Sequence, residues 1–262
     1  MKLFFREYGV GHPLIILHGL LGLSDNWLTV AKAFSEEYRV ILPDLRNHGQ
    51  SPHDSVHTYD AISDDINELI SDLSLVNVSI IGHSMGGKAA MVLADKYPGM
   101  IKKLAVIDIS PLAYEKRNIN ELEANHFELL DFMNDFDISK MKNRNDIAEI
   151  TKERFNNQFV TQLILKNVKR NTERKFVWKI NTNILRNNLS EIGKELSFSE
   201  KNNMIDAMFL FGKKSPFFSE KDYYSVKRNF PNSLIKVVDG AGHNIHIDNK
   251  AGLIKEIKQF LR

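Results

Sequence analysis

Two hydrophobic periods take turns along this chain. Short, continuous apolar runs fall at 13–17, 38–43, 76–81, 103–109, 207–212 and 234–238, the pattern of strands covered on both faces of a parallel sheet. Between them apolar residues recur every three or four positions, as in amphipathic helices. Segment 24–35, with Ser24 or Asp25 as its cap, turns Trp27, Leu28, Val30, Ala31 and Phe34 inward; segment 59–73 does the same with Ile62, Ile66, Leu69 and Ile70. Helices are also expected at 88–97, stopped by Pro98 and Gly99, and at 220–230 and 251–261. Strand and helix in alternation predict an α/β architecture with a mostly parallel central sheet flanked by helices.

The alternation breaks after Pro111. From about 112 to 203 the chain shows only helical periodicity and polar connectors, with helices expected at 121–133, 147–155 and 159–168. Such an excursion between two strands reads as an inserted helical cap, so the expected division is a core of 1–111 and 204–262 and a cap subdomain of 112–203.

One strand runs into Gly82-His83-Ser84-Met85-Gly86-Gly87 and then a helix. A Gly-x-Ser-x-Gly sequence in that setting is a nucleophile elbow: the reversal forces the serine into a strained backbone, and glycines two before and two after avoid a clash. Ser84 is therefore the candidate nucleophile. A serine hydroxyl is a poor nucleophile at neutral pH, so it needs an imidazole to take its proton and an acid to fix that imidazole's tautomer. His243 follows the last strand through Asp239-Gly240-Ala241-Gly242, a glycine-flexed loop at the same sheet edge, and is the expected base; His246 is the fallback. His83 is expected to turn away from the reaction, and His18 and His48 to be loop hydrogen-bonders. After the strand that follows the cap the chain reads Gly212-Lys213-Lys214-Ser215-Pro216, with no carboxylate, so Asp108 at the end of the preceding strand is the expected acid. Asp206, Asp222 and Asp239 are weaker candidates by placement. Two oxyanion donors are expected, the backbone N–H of Met85 and that of Leu20 in the loop His18-Gly19-Leu20-Leu21-Gly22.

Composition narrows the chemistry further. The chain has 262 residues, a formal charge of +2 and no cysteine, which excludes disulfides, thiolate metal sites and a cysteine nucleophile. No phosphate-cradling glycine loop, dinucleotide fingerprint or metal cluster is present, and no cofactor or metal is expected. No apolar stretch approaches the ~20 residues of a membrane span, and Arg6 and Glu7 cut short the apolar start of the chain. The expected setting is the cytoplasm, with a small-molecule ester or thioester as partner, neither nucleic acid nor membrane, and a monomer or homodimer. The cationic run Lys166, Lys169, Arg170, Arg174 and Lys175 reads as a solvated helix face, with the phosphates of coenzyme A as the alternative.

These motifs resemble the α/β-hydrolase family nearly end to end. More narrowly, 44–52 (DLRNHGQSP), 82–89 (GHSMGGKA), 107–111 (IDISP), Ser215-Pro216 and Ala241-Gly242-His243 are similar to the YbfF-type bacterial esterases. The resemblance implies a Ser84, Asp108 and His243 triad, a helical cap over the site, and hydrolysis of carboxylic esters with small or medium acyl chains. Asn244 departs from it, since relatives tend to carry an aromatic residue after the histidine. The alternatives are acyl-CoA thioester hydrolysis, carbon–carbon hydrolysis or lyase chemistry on the same residues, and a binding protein without turnover.

Overall fold

The computed structural model describes residues 1–113, 125–198 and 205–262. The apolar runs form one seven-stranded sheet. In chain order its strands are β1 (Phe5–Tyr8), β2 (His12–Leu17), β3 (Tyr38–Pro43), β4 (Val78–His83), β5 (Ile101–Ile107), β8 (Asp206–Gly212) and β9 (Leu234–Val238). They lie side by side as β1-β3-β2-β4-β5-β8-β9. Every pairing is parallel except that of β1 with β3. Strand β1 was missed by the period argument because its four residues include a charged pair, Arg6 and Glu7, suited to a half-exposed edge.

Along β2 the two sheet faces sort cleanly. Ile15 and Leu17 pack with α2 (Tyr59–Asp72) and α3 (Met85–Lys96). Leu14 and Ile16 pack on the opposite side with α1 (Leu28–Phe34) and α11 (Lys250–Leu261). All four are buried, each contributing roughly 1.5–3 kcal/mol of apolar transfer. The first helix starts later than its pattern suggests: residues Ser24–Trp27 form a 3-10 turn, and neither Ser24 nor Asp25 caps it. Asn26 instead accepts the Leu23 N–H at 2.8 Å.

Between β5 and β8 the described residues hold α4 (His126–Asp135), α5 (Arg144–Phe155), α6 (Gln158–Lys166), α7 (Thr182–Asn187) and α8 (Leu189–Gly193). Residues 121–124 of the expected helix 121–133 lie outside the described residues. Here the all-helical expectation is corrected: a two-stranded hairpin, β6 (Val168–Arg170) with β7 (Phe176–Trp178), interrupts the helices. Helix α6 therefore ends at Lys166, and Val168 belongs to a strand. The segment is tied to the sheet-bearing residues by Tyr59 Oη donating to Ile192 O at 2.7 Å, Asn181 N to Asn47 O at 2.9 Å and Leu196 N to Pro111 O at 2.8 Å. The buried Lys88 of α3 donates to the carbonyls of Leu112 and Lys194, one on each side of the insertion.

Strand register sets up the site. Leu17 faces Gly82, His83 faces Ile107, and Ile107 faces Leu210. The ladder continues one step beyond, with Ser84 N donating to Ile107 O at 3.0 Å and Asp108 N to Leu210 O at 2.9 Å. Ser84 and Asp108 therefore leave adjacent strands at one level of the carboxyl edge, where ligands bind in open α/β sheets. The final short helix, α10 (Ile245–Asp248), follows His243 at this edge.

Candidate active site

The elbow has the strain its sequence predicts. Ser84 sits at φ 52° and ψ −118° between the end of β4 and the start of α3, a conformation that costs on the order of 1–3 kcal/mol for a residue with a Cβ. The flanking glycines explain how the turn fits. A Cβ on Gly82 would lie 2.4 Å from Gly86 O, and one on Gly86 would lie 2.6 Å from the carbonyl oxygens of Leu17 and His18. The strand, the helix and the first loop thus meet where only hydrogen fits.

Asp108, fully buried at φ 54°, accepts three hydrogen bonds. His243 Nδ1 donates to Oδ2 at 2.8 Å, Gly212 N donates to Oδ1 at 2.7 Å, and the Ser215 hydroxyl also donates to Oδ2. The His243 loop comes this close because Gly212 has no side chain; a Cβ there would stand 2.2 Å from Gly242 O. Phe217 and His83 flank the His243 ring, with ring centroids at 4.5 and 4.8 Å. Burial pushes the His243 imidazole down to about 4, with Asp248 opposing. Burial pushes the Asp108 carboxyl up, and the bonds from Ser215 and Gly212 pull it back. The pair is therefore displaced away from holding two charges and titrates as one unit. Three donors on the carboxylate favour the proton on Nδ1, which leaves Nε2 free to accept.

His83 has a structural role, as its position suggests, although its ring stays beside that of His243. Its Nε2 donates to His243 O at 3.0 Å, and burial drives its imidazole down to about 3, so a neutral ring braces the loop carrying His243. His18 and His48 are the loop hydrogen-bonders their positions suggest. His18 Nδ1 donates to Gly19 O at 2.8 Å and Nε2 accepts from Leu45 N at 3.0 Å. His48 Nδ1 donates to Arg46 O at 2.9 Å and Nε2 accepts from Leu21 N at 3.3 Å. The polar turn holding His48 is structural: Asp44 accepts from Ser24 N and Gln50 N, and Arg46 grips Asp65 through two nitrogens.

The first loop presses on the elbow, since a Cβ on Gly19 would be 3.2 Å from the Ser84 Cβ. Among the described residues neither Leu20 N nor Met85 N donates to a protein acceptor. Leu21, at φ 60°, is held from two sides, by His48 at its N–H and by Asn167 Nδ2 at its carbonyl at 2.9 Å. The other acids are engaged elsewhere. Asp222 bonds Ser110 and caps α9 (Glu220–Asn229) with Ser219, Asp239 pairs with Lys213, and Asp206 pairs with Lys103.

Ser84, His243, Leu20, His18 and His83 line one cavity of about 830 Å³, together with His126, His246 and side chains of α6. His246 stacks on Trp27 with ring centroids 4.5 Å apart, consistent with a wall residue. Sequence reasoning missed three contributors. Ser215 lay in a segment noted for what it lacks, a carboxylate. Asn167 carries no local signal, since its partner Leu21 is 146 positions away. His126 adjoins residues outside any motif.

Fold and site together define a hydrolase of the nucleophile-elbow class. The chain belongs to the α/β hydrolase fold family, whose sequence profile matches residues 12–250. It is 30% identical to Esterase YbfF of Escherichia coli (strain K12), over 95% of this chain and 92% of that protein. It is 33% identical to the sn-1-specific diacylglycerol lipase ABHD11 of Danio rerio, over 98% of this chain and 81% of that one. A solved structure described as a marine microorganism esterase superposes with a TM-score of 0.94 at 35% identity, covering 99% of both chains. The activity these comparisons support is carboxylic ester hydrolysis by a serine hydrolase. Among the described residues no helix is long and apolar enough to cross a membrane.

Proposed function

We propose that the chain cleaves carboxylic esters of small or medium acyl chains through an acyl-enzyme on Ser84, with His243 as base, Asp108 as the acid that orients it, and Leu20 and Met85 as oxyanion donors. The observation that carries this reading is the 2.8 Å bond from His243 to Asp108 at the wall of the cavity that the strained Ser84 also lines. Ser84 Oγ attacks the ester carbonyl while His243 Nε2 takes its proton. The tetrahedral oxyanion accepts from the amides of Leu20 and Met85, the latter at the N-terminus of α3, where the helix dipole favours negative charge. Collapse returns the proton from His243 to the departing alcohol. A water then attacks the acyl carbonyl, His243 takes its proton, and Ser84 leaves with that proton as the acid is released.

In this reading 112–203 forms a helical cap on a core of 1–111 and 204–262, and the protein works in the cytoplasm as a monomer or homodimer on a small-molecule substrate. Thioester hydrolysis is the second reading, because the same steps release a thiol from an acyl thioester and Lys166, an element of the cationic run, lines the cavity. Ser84→Ala is the test. Covalent labelling by a fluorophosphonate should vanish, and aryl ester turnover should fall by at least about 10⁴-fold. A variant that still labels and turns over at the original rate would overturn the assignment.

A further inference from the structure

Helix α6 presents an unexpected face to the cavity. Gln158, Gln162 and Lys166, at positions i, i+4 and i+8, form a ridge of about 12 Å along the helix that lines it beside the apolar Phe159 and Leu163. The opposite side of the helix, with Val160 and Ile164, is buried in the core. Gln158, Gln162 and Lys166 are exposed and keep their hydration, but a plain acyl chain would gain nothing from such polar groups along its path. Asn26 and Asn244 extend the polar lining.

The charges in the cavity are unbalanced. Its lining holds two ammonium groups, Lys166 and Lys214, and a single carboxylate, Asp248, which already accepts Gly242 N at 2.9 Å. Among the described residues neither lysine makes an ion pair. Lys166 is exposed like the cationic residues that follow it and differs from them in lining the cavity. Lys169, Arg170, Arg174 and Lys175 are exposed. The Arg170 guanidinium donates to the carbonyl oxygens of Arg174 and Lys142 and lies 4.1 Å from the Phe176 ring centroid, and Lys175 pairs with Glu173 at 3.1 Å. Lys166 lines the cavity instead, and its positive charge adds a smaller push to the lowering of the buried His246 imidazole, after burial and the neighbouring His83 and His243.

We propose that the cavity is built for esters bearing an anionic group, and that Lys166, with Gln162 and Gln158 beside it, is the subsite that receives the anion. This rests on the ester-hydrolase reading and adds a substrate class to it. An ammonium meeting a carboxylate or phosphate in a partly enclosed site makes a charge-assisted hydrogen bond, stronger than its equivalent in open solvent. The amides of Gln162 and Gln158 supply further N–H donors to the remaining oxygens of the same group.

Matched substrates test this on the intact protein. The 4-nitrophenyl ester of hexanoic acid is compared with the mono-4-nitrophenyl ester of hexanedioic acid, which has the same acyl length but ends in a carboxylate. A third substrate, the hexanoate ester of 4-hydroxybenzenesulfonate, carries the anion on the leaving group. In the wild-type protein kcat/KM should favour one anionic substrate over the neutral ester by about tenfold, with the favoured arm showing which end of the substrate lies along α6. Lys166→Gln should bring that anionic-to-neutral ratio down to about one, Lys166→Arg should keep most of it, and Lys169→Gln, outside the cavity lining, should leave it unchanged. High salt should compress the ratio. Equal kcat/KM for all three substrates in the wild type would overturn the proposal, as would a ratio untouched by Lys166→Gln or lowered equally by Lys169→Gln. Absence of turnover of all three esters by the wild type would instead sink the ester-hydrolase reading.

Discussion

At the scale of single residues, the site depends on atoms that are not there. The missing side chain of Gly86 lets the carbonyls of Leu17 and His18 approach the elbow, so Gly86→Ala should both destabilise the protein, by about 2 kcal/mol or more, and reduce kcat sharply. A melting curve and an aryl ester assay check both; an unchanged melting temperature would show that the loop yields. Asp108→Asn keeps the shape but gives Nδ1 a neutral partner, and kcat should fall by about 10³–10⁴-fold. For His243 the burial that lowers its pKa to about 4 fixes a sign: protonation blocks Nε2, so kcat/KM should stay level from pH 8 to about 5.5, not fall near 6.5. Initial rates after a pH jump measure this, and a midpoint near 6.5 would refute the burial argument. Ser84 and its glycines were legible in the sequence because their constraint is local, written into five consecutive residues. Asp108 was legible only by elimination, from the absence of an acid after β8. Ser215 stood out in the sequence only within the Ser215-Pro216 pair that carries part of the resemblance, and its role was not legible because its hydroxyl matters through a bond spanning 107 positions.

Elements carry the coupling between the two sides of the site. The hairpin β6–β7 escaped the periodicity argument because three-residue strands are too short to show alternation, and the loop between them is rich in charge. Yet this junction, immediately after α6, holds Asn167, whose backbone carbonyl accepts Lys179 N at 2.7 Å and whose amide donates to Leu163 O at 3.0 Å as well as to Leu21 O. The insertion therefore grips the first loop one residue beyond Leu20. Asn167→Leu leaves the Leu21 carbonyl without that donor, and Leu21 already occupies the left-handed region that branched and bulky residues avoid. In the proposed mechanism a loosened loop misplaces the Leu20 amide, which is needed only when the oxyanion forms. The expected result is a kcat about tenfold lower with KM within twofold, and Asn167→Gln recovering part of it. A rise in KM alone would mean that Asn167 shapes the cavity and does not act on the loop.

Over the whole molecule the mostly parallel sheet was readable because six apolar runs alternate with five amphipathic segments, whereas the strand order and the packing of the histidines were not, since both belong to the assembled fold. Eight of the nine histidines, His12, His18, His48, His57, His83, His126, His243 and His246, have imidazoles pushed below their ordinary value, in every case chiefly by burial. Above pH 6.5 neither the folded nor the unfolded chain protonates them, and they are neutral with respect to stability. Below it the unfolded chain takes up protons that the folded chain refuses, so stability falls with pH, at up to ~1.4 kcal/mol per pH unit for each group. The raised carboxyl of Asp108 works in the opposite sense, one group against eight. Even heavily discounted, the sum reaches several kcal/mol between pH 6.5 and 5, a large part of the 5–15 kcal/mol that holds a typical domain together. The melting temperature should therefore drop by about 10 °C or more between pH 7 and pH 5, and the fold should give way in acid before the His243 imidazole titrates. Scanning fluorimetry across that range decides the matter: a flat melting temperature would mean that water reaches these rings, and replacing His57, whose buried Nε2 has no partner, by Phe should flatten the slope by about one proton.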